Sequence, residues 1–230
     1  MLNQVMKDLF TKPISCFITG TDTEIGKTLV ASSIVYKQAQ NGFKVAGMKP
    51  VAAGANLIEG QWHNEDVDSL ISASSAKLAP AIVCPYLFKT PVAPHIASSI
   101  EGRVIDPHQI MESFSQAKKE TDALVVEGVG GFRVPLTDQF DTADLAVSFN
   151  LPVILVVGLR LGCINHALLT VEAIESRGLK LLGWVANSIS PNMDKSEENL
   201  IALKQRIQAP LIGHIPHLLD LSFIEAAKYL

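Results

Sequence analysis

One stretch near the N-terminus constrains the fold more than any other part of the chain. A short apolar run at residues 14–19 leads directly into the sequence GTDTEIGKT at residues 20–28, and a segment of helical period follows. A loop of this kind between a strand and a helix directs backbone N–H groups at one point, where the helix dipole also favours an anion. The context therefore predicts a loop that binds phosphate groups. The alternative is a glycine-containing turn that binds nothing.

Further short apolar runs, separated by segments of helical period, indicate the fold class. This alternation is typical of an α/β protein with a doubly wound, mainly parallel sheet and helices on both faces, and 230 residues suit a single domain spanning residues 1–230. Glycine and proline interrupt residues 51–103, which we predict to be irregular. The ligand of such a sheet lies beyond the carboxyl ends of its strands. Strands are predicted at residues 14–19, 45–48, 124–126, 153–157, 182–186 and 211–215, and helices at about 26–40, 108–120, 141–149, 164–176 and 195–207.

Composition and charge exclude several kinds of partner. The chain has 19 basic and 23 acidic residues and a net charge of −4, so it lacks the basic surface that binding to nucleic acid requires. Its three cysteines are widely spaced, which favours neither a disulfide framework nor a zinc site. The N-terminal residues lack the apolar stretch of a signal peptide, and no segment reaches the length of a membrane span. We expect a cytoplasmic protein with no nucleic acid or membrane partner.

Individual residues of the predicted phosphate loop suit phosphate chemistry. Gly26 permits close approach of the backbone, Lys27 has the length to reach the β- and γ-phosphates, and the Thr28 hydroxyl suits a magnesium ion. The loop is a variant, because Thr21 stands where the usual pattern has its first glycine. Glu24 is unusual beside a triphosphate, since like charges repel. It is predicted either to face another ligand or to serve as a carboxylate near the helix N-terminus.

Two charged residues at predicted strand ends should lie beside the phosphate loop. Lys49 follows the run at 45–48, and the proline after it restricts Lys49 to extended geometry. Glu127 follows the run at 124–126 and precedes a glycine-rich turn, a position that suits a magnesium-binding carboxylate. The alternative for each is a solvated side chain. Among the four acidic residues between 59 and 68, spacing alone selects none.

Several longer motifs are more specific than the phosphate loop. Taken together they resemble the dethiobiotin synthetase family, and the resemblance runs from about residue 14 to about residue 218. The motifs are GTDTEIGKT at 20–28, KPVAAG at 49–54, PVAPHIA at 91–97, EGR at 101–103, VEGVGG at 126–131, LPVILVVGLRLGCINHALLT at 151–170 and GWVAN at 183–187.

The resemblance implies a ligase of the P-loop NTPase type that acts in biotin biosynthesis. In this family 7,8-diaminononanoate takes up CO2 as a carbamate, ATP phosphorylates the carbamate, and the second amine closes a cyclic urea, with release of ADP and phosphate. Lys49 is implied as the catalytic lysine that bridges carbamate and γ-phosphate, and Lys27 as the lysine that follows the phosphoryl group. The implied magnesium ligands are Thr28, Asp66 and Glu127. Two lysines and a divalent ion suit a reaction in which two anions meet.

The resemblance also implies contacts to each ligand. Asn187, Ser188 and residues 216–218 are implied to contact the adenine base. The PVAPHIA segment at 91–97 is implied to form a wall of the substrate site, and the alternative for its His95 is a hydrogen-bonded structural histidine.

The chain departs from the family at three of the implied contact positions: Ser188 stands where Asp is common, His217 where an aromatic residue is common, and Ala53 where Ser is frequent. At Ala53 we therefore expect only the backbone to contact the substrate. The implied ATP contacts are Thr23, Glu24, Ile25, Gly26, Lys27, Thr28, Leu29, Asp66, Glu127, Gly128, Val129, Gly130, Asn187, Ser188, Pro216, His217 and Leu218. The implied substrate contacts are Thr23, Lys49, Ala53, Gly162, Cys163, Ile164 and Asn165.

The segment at residues 161–166 is predicted to open a helix, and its free N–H groups suit the distal carboxylate of the substrate. A plain helix cap is the alternative. In the family this loop comes from the neighbouring subunit, so the resemblance implies a homodimer with active sites at the interface.

Two other classes of protein share the predicted fold. A nucleotide-switched ATPase of the partition type usually carries a lysine in the phosphate loop where this chain has Asp22. An amidating ligase of the same fold usually adds a glutamine-hydrolysing domain, for which 230 residues leave no room. Both features favour the dethiobiotin synthetase interpretation.

Overall fold

A computed structural model describes residues 9–230, in which the strands are β1 (Cys16–Gly20), β2 (Val45–Met48), β3 (Val51–Ala53), β4 (Asn56–Ile58), β5 (Gln61–His63), β6 (Tyr86–Phe88), β7 (Ala123–Glu127), β8 (Val153–Gly158), β9 (Leu181–Asn187) and β10 (Leu211–Ile215). The main sheet has six parallel strands in the order β10-β9-β8-β1-β7-β2. These are the six predicted strands, with ends shifted by at most two residues. Residues 1–8, part of the segment in which we predicted no signal peptide, lie outside the described residues.

Helices connect the strands and confirm the predicted alternation. They are α1 (Lys27–Gln40), α2 (Glu65–Ala73), α3 (Pro80–Val83), α4 (Pro94–Glu101), α5 (Pro107–Lys119), α6 (Thr142–Phe149), α7 (Cys163–Ser176), α8 (Ser196–Arg206) and α9 (Phe223–Ala226). Local sequence explains where some of them begin. Asp106 caps α5 by accepting a hydrogen bond from the His108 N–H, and Asp141 and Asp144 form a reciprocal capping box at the start of α6.

Apolar clusters cover both faces of the main sheet. On one face Phe17 packs with Phe114 of α5 and Phe149 of α6, whose rings lie 4.5 Å apart. On the other face Ile18 packs with Ile34 of α1. Adjacent residues of β1 point to opposite faces because side chains alternate along a strand. Burial of each such side chain stabilises the fold by roughly 1.5–3 kcal/mol.

Residues 51–103 are less irregular than predicted. They contain a two-stranded parallel sheet of β3 and β6, a hairpin of β4 and β5, and helices α2, α3 and α4. The prolines that suggested irregular structure are used as helix starts, because Pro80 and Pro94 occupy the first turns of α3 and α4, where a missing N–H costs nothing. This segment brings Asp66 and residues 91–94 to the carboxyl edge of the main sheet.

The C-terminal segment packs against α1. The Ser33 hydroxyl donates to the carbonyl of Phe223 at 2.9 Å, and the rings of Tyr36 and Phe223 lie 5.7 Å apart. Gly213 on β10 is required by this packing, because a Cβ there would lie 2.1 Å from the carbonyl oxygen of Tyr229. Within the part of the chain that the structure describes, no helix combines the length and the hydrophobicity that crossing a membrane requires.

Candidate active site

The carboxyl ends of the parallel strands border one large cavity. Its volume is about 1220 Å³, which leaves room for a nucleotide and a small second ligand. Ile25 and Gly128 lie outside its lining. The other predicted ATP contacts, together with Lys49 and Ala53, line it: Thr23, Glu24, Gly26, Lys27, Thr28, Leu29, Lys49, Ala53, Asp66, Glu127, Val129, Gly130, Asn187, Ser188, Pro216, His217 and Leu218.

The predicted phosphate loop runs from the end of β1 into α1. Gly26 is the N-cap of α1 with φ 86°, and no described side chain caps the helix, which leaves first-turn N–H groups for an anion. Lys27 is buried, and its Nζ donates to the carbonyl of Asp22 at 2.7 Å. Glu24 precedes the N-cap by two residues, faces the cavity and has φ 57°, a strained value for a non-glycine residue.

Lys49, Asp66, Glu127 and Thr28 form one hydrogen-bonded cluster beside this loop. Lys49 Nζ lies 2.7 Å from Asp66 Oδ2 and 2.6 Å from Glu127 Oε1. Lys49 is 3% exposed and Glu127 is 0% exposed, so the alternative of solvated side chains is wrong for both. Of the four acidic residues that spacing left open, Asp66 is the one in contact with Lys49.

Burial and charge shift the pKa values of this cluster. Burial alone would lower the pKa of Lys49, but Glu127 and Asp66 outweigh it and raise that pKa. Burial raises the pKa of Glu127, although the positive charge of Lys49 opposes this rise. At Asp66 burial also acts to raise the pKa, but Lys49 outweighs it and the pKa is lowered. One ammonium lies within 2.7 Å of both carboxylates, so we take Lys49, Asp66 and Glu127 as ionised.

Lys27 differs from Lys49 in its charge environment. Burial, and then repulsion from Lys49, lowers the pKa of Lys27 to about 8. A cation held in this way gains stability when an anion arrives, since an opposite charge nearby favours the charged form. Lys27 is therefore prepared electrostatically for a phosphate group.

The same cluster offers oxygen donors that suit a magnesium ion. Thr28 Oγ1 lies 2.6 Å from Asp66 Oδ1 and 2.8 Å from Glu127 Oε1. Glu127 Oε2 is buried and has no hydrogen-bond partner among the described residues, a costly arrangement that a cation would relieve. Across residues 9–230 no three His, Cys, Asp or Glu side chains are arranged to hold a metal. The set that fits is two carboxylates and a hydroxyl.

Part of the cavity wall is formed by the end of β9 and by the residues that follow β9 and β10. Ser188 Oγ lies 3.0 Å from His214 Nε2, so the neighbouring strand β10 holds this hydroxyl. His217 is exposed and lines the cavity. Asn187 is 6% exposed, and its Nδ2 donates to the carbonyl of Ile25 at 2.9 Å, a contact that the sequence did not indicate.

The predicted substrate contacts are divided between two places. Thr23 and Ala53 line the cavity, and the carbonyl of Ala53 accepts a hydrogen bond from Asn64 Nδ2 at 3.3 Å. Residues 162–165 do not line this chain's cavity; Gly162 is the N-cap of α7 with φ 92°. The predicted helix start is confirmed, and its predicted contact with substrate stays a prediction. The residues concerned are Gly162, Cys163, Ile164 and Asn165.

Several lining residues were missed by sequence reasoning. Val134 follows the glycine-rich turn and so had a local signal. Residues 91–94 were not missed, because they belong to the PVAPHIA motif that the family resemblance implied as a wall of the substrate site. His95 is exposed and lies outside the lining. The remaining missed residues had no such signal, since only tertiary packing brings them to the cavity: Glu65, Ser69, Ile189, Leu219 and Leu221.

Solved structures share this architecture. The MinC:MinD cell division protein complex of Aquifex aeolicus matches with a TM-score of 0.58 and 16% identity, covering 93% of this chain and 86% of that chain. The septum site-determining protein MinD complexed with Mg-ADP from Pyrococcus horikoshii OT3 matches with a TM-score of 0.56 and 17% identity, covering 94% of this chain and 95% of that chain. At these identities the likeness shows the fold alone. The fold and the phosphate loop define a P-loop NTPase.

Sequence relatives narrow this class to one family. A family model described as an AAA domain matches residues 15–225. The ATP-dependent dethiobiotin synthetase BioD of Aromatoleum aromaticum is 56% identical over 207 residues, covering 90% of this chain and 92% of the relative. The enzyme of that name from Janthinobacterium sp. (strain Marseille) is 50% identical over 224 residues, covering 96% of this chain and 95% of the relative. The chain belongs to the ATP-dependent dethiobiotin synthetase family.

Proposed function

We propose that this cavity forms dethiobiotin from 7,8-diaminononanoate, CO2 and ATP through a phosphorylated carbamate. Family membership supports the reaction class, an ATP-dependent ligase of biotin biosynthesis. The observation that carries the route is Lys49, a buried ammonium beside the phosphate loop within 2.7 Å of two carboxylates. A cation at this position suits a reaction in which a carbamate and a γ-phosphate, both negative, must approach each other.

The proposed reaction has three steps. One amine adds to CO2 and loses a proton, which gives a carbamate. A carbamate oxygen then attacks the γ-phosphorus of ATP, and the bond from that phosphorus to the ADP oxygen breaks. The second amine attacks the carbamate carbon and loses a proton, the carbon–oxygen bond to phosphate breaks, and the cyclic urea closes.

The two buried lysines take different parts in this proposal. Lys49 bridges the carbamate and the γ-phosphate, and its two carboxylate partners hold it at the strand end. Lys27 leaves the carbonyl of Asp22 and follows the phosphoryl group as charge moves during transfer. The lowered pKa of Lys27, about 8, supports this role, because its charged form is stabilised most when phosphate is present.

Magnesium is part of the proposal. Thr28, Asp66 and Glu127 would hold the ion, and the partnerless Oε2 of Glu127 supports this assignment. A magnesium ion at this position would neutralise charge on the phosphates. The remaining ATP contacts that we propose are residues 23–29 and 128–130, of which all but Ile25 and Gly128 line the cavity, together with Asn187, Ser188 and residues 216–218, which also line it.

We also propose that two copies of one domain, residues 1–230, form a homodimer. Residues 162–165 lie away from this chain's own cavity, which supports their use at a neighbouring subunit's site. Leu161, which is 95% exposed, lies two residues before α7, and Leu169, which is 57% exposed, lies on α7. Exposed apolar side chains so placed favour a protein contact. The single main sheet takes strands from residues 16 to 215, which supports one domain.

One assay tests the proposed function. The purified protein is incubated with ATP, magnesium, bicarbonate and 7,8-diaminononanoate, each is omitted in turn, and ADP and the cyclic urea are followed by mass spectrometry. We expect product only when all four are present. ADP release that ignores the diamine, without urea, would contradict the proposal and favour the partition-type ATPase. The partition-type ATPase has support only from likeness of fold. In addition, this chain has Asp22, which forms an ion pair with Arg160, at the position where that class usually has a lysine.

A further inference from the structure

Asn187 contacts the phosphate loop as well as the cavity. Its Nδ2 donates to the carbonyl of Ile25 at 2.9 Å, although the two residues are 162 positions apart. Asn187 also lines the cavity. Ile25 immediately precedes Gly26, the N-cap of α1, so this hydrogen bond acts on the part of the loop that presents N–H groups to an anion.

The backbone of Asn187 is rigid. It is the last residue of β9, where it pairs with Gly158 of β8 on one side and Ile215 of β10 on the other. Its carbonyl accepts a hydrogen bond from the Leu159 N–H at 2.8 Å. A side chain that projects from such a paired strand end has little freedom to move, so it is suited to hold a neighbouring loop.

The phosphate loop is shaped to receive this side chain. A Cβ on Gly26 would lie 2.2 Å from Asn187 Nδ2, so a larger residue at position 26 would displace the amide. Ile25 is 1% exposed and fills space left by two other glycines. A Cβ on Gly20 would lie 2.7 Å from Ile25 Cδ1, and one on Gly158 would lie 2.6 Å from Ile25 Cγ2. Three glycines and one amide therefore fix the position of the loop.

We propose that Asn187 is a positioning residue for the phosphate loop, through the Ile25 carbonyl, in addition to its proposed contact with the base. One side chain then links the proposed base contact to the phosphate loop. The inference rests on the proposed function only in that the cavity binds a nucleotide by its phosphates. It is independent of the carbamate chemistry, so a failed ligase assay would leave it standing.

A ligand with phosphates and no base separates the two roles of Asn187. Binding of magnesium tripolyphosphate and of magnesium ADP is measured by calorimetry for wild type, Asn187→Ala, the near-isosteric Asn187→Leu, and Ser188→Ala. We expect both Asn187 variants to bind tripolyphosphate roughly five- to tenfold more weakly, because each leaves the Ile25 carbonyl without its donor. Ser188→Ala should weaken ADP binding alone. Wild-type affinity for tripolyphosphate in either Asn187 variant would overturn the proposal.

A measurement on the unaltered protein covers the case in which the variants fail to fold. The side-chain amide protons of Asn187 are followed by NMR during hydrogen exchange and during titration with tripolyphosphate. We expect slow exchange of one proton and a shift of the amide resonance on titration. An amide that exchanges at the rate of a solvated asparagine, or that does not respond to tripolyphosphate, would contradict the inference.

Discussion

Lys49 Nζ lies 2.6 Å from Glu127 Oε1, although 78 positions separate the two residues in the sequence. Lys49 follows β2 and Glu127 ends β7, and these two strands are parallel neighbours. Parallel pairing brings the two strand ends to the same edge of the sheet, and both side chains are buried there. Removal of either partner therefore leaves the other charge buried and less well paired.

Replacement of Lys49 by alanine should abolish turnover while the protein still folds. We expect a fall of at least about a hundredfold in kcat, because the cation that joins the two anions is lost. The free energy of unfolding should fall by about 3 kcal/mol, since Glu127 remains buried. Steady-state kinetics and urea unfolding measure both effects. Lys44→Ala, which removes an exposed lysine, serves as the control, and wild-type turnover in Lys49→Ala would refute the assigned role.

Magnesium should stabilise the protein through Glu127. An ion that binds only the folded state raises the melting temperature, by an amount that grows with the ratio of the ion concentration to its Kd. We expect this rise in wild type and its loss in Glu127→Gln, which removes a charged oxygen donor. Thermal unfolding with and without magnesium measures the effect, and no turnover is needed. Glu112→Gln, at an exposed position on α5, should respond to magnesium as wild type does. An equal rise in Glu127→Gln would mean that the ion binds elsewhere.

Ala53→Ser should strengthen substrate binding. Ala53 is half-buried on the cavity wall, so a hydroxyl there can donate a hydrogen bond to a ligand. One such bond contributes about 1 kcal/mol, which corresponds to a KM for the diamine lower by about fivefold. The KM for ATP should stay unchanged. Equal changes in both KM values would show that the substitution acts on the fold of the site as a whole.

Stability at acidic pH should depend on Asp144. Burial alone would raise the pKa of Asp144, but hydrogen bonds from the Asp141 N–H and from Arg177 lower it below its ordinary value of 3.8. A lowered folded-state pKa stabilises the protein above pH 3.8, and this contribution is lost as pH falls through the folded-state value.

Asp144→Asn tests that pH dependence. We expect the variant to be less stable by about 1 kcal/mol at pH 7, because a charged capping partner is replaced. The difference from wild type should shrink as pH falls below 3.8. Urea unfolding of both proteins across this range measures the difference. A constant difference at every pH would show that ionisation of Asp144 makes no contribution.

Some parts of the site could be predicted because their signals are local. The phosphate loop is read from contiguous residues between a strand and a helix, and Glu127 from the end of an apolar run before a glycine turn. Asp66 could not be chosen by spacing, since it lies in a segment whose path across the sheet depends on short strands and helices. The family resemblance implied Asp66 as a magnesium ligand, and the structure places it 2.7 Å from Lys49.

The sequence by itself determined the order of strands and helices, the phosphate loop and the charged residues at the strand ends, because periodicity and glycine placement act over a few residues. Tertiary structure alone decided which strand ends are neighbours. The order β10-β9-β8-β1-β7-β2 places Lys49 against Glu127 and Asn187 against Ile25. These contacts join residues that are far apart in the chain, and they form only when burial of both sheet faces brings the strands together.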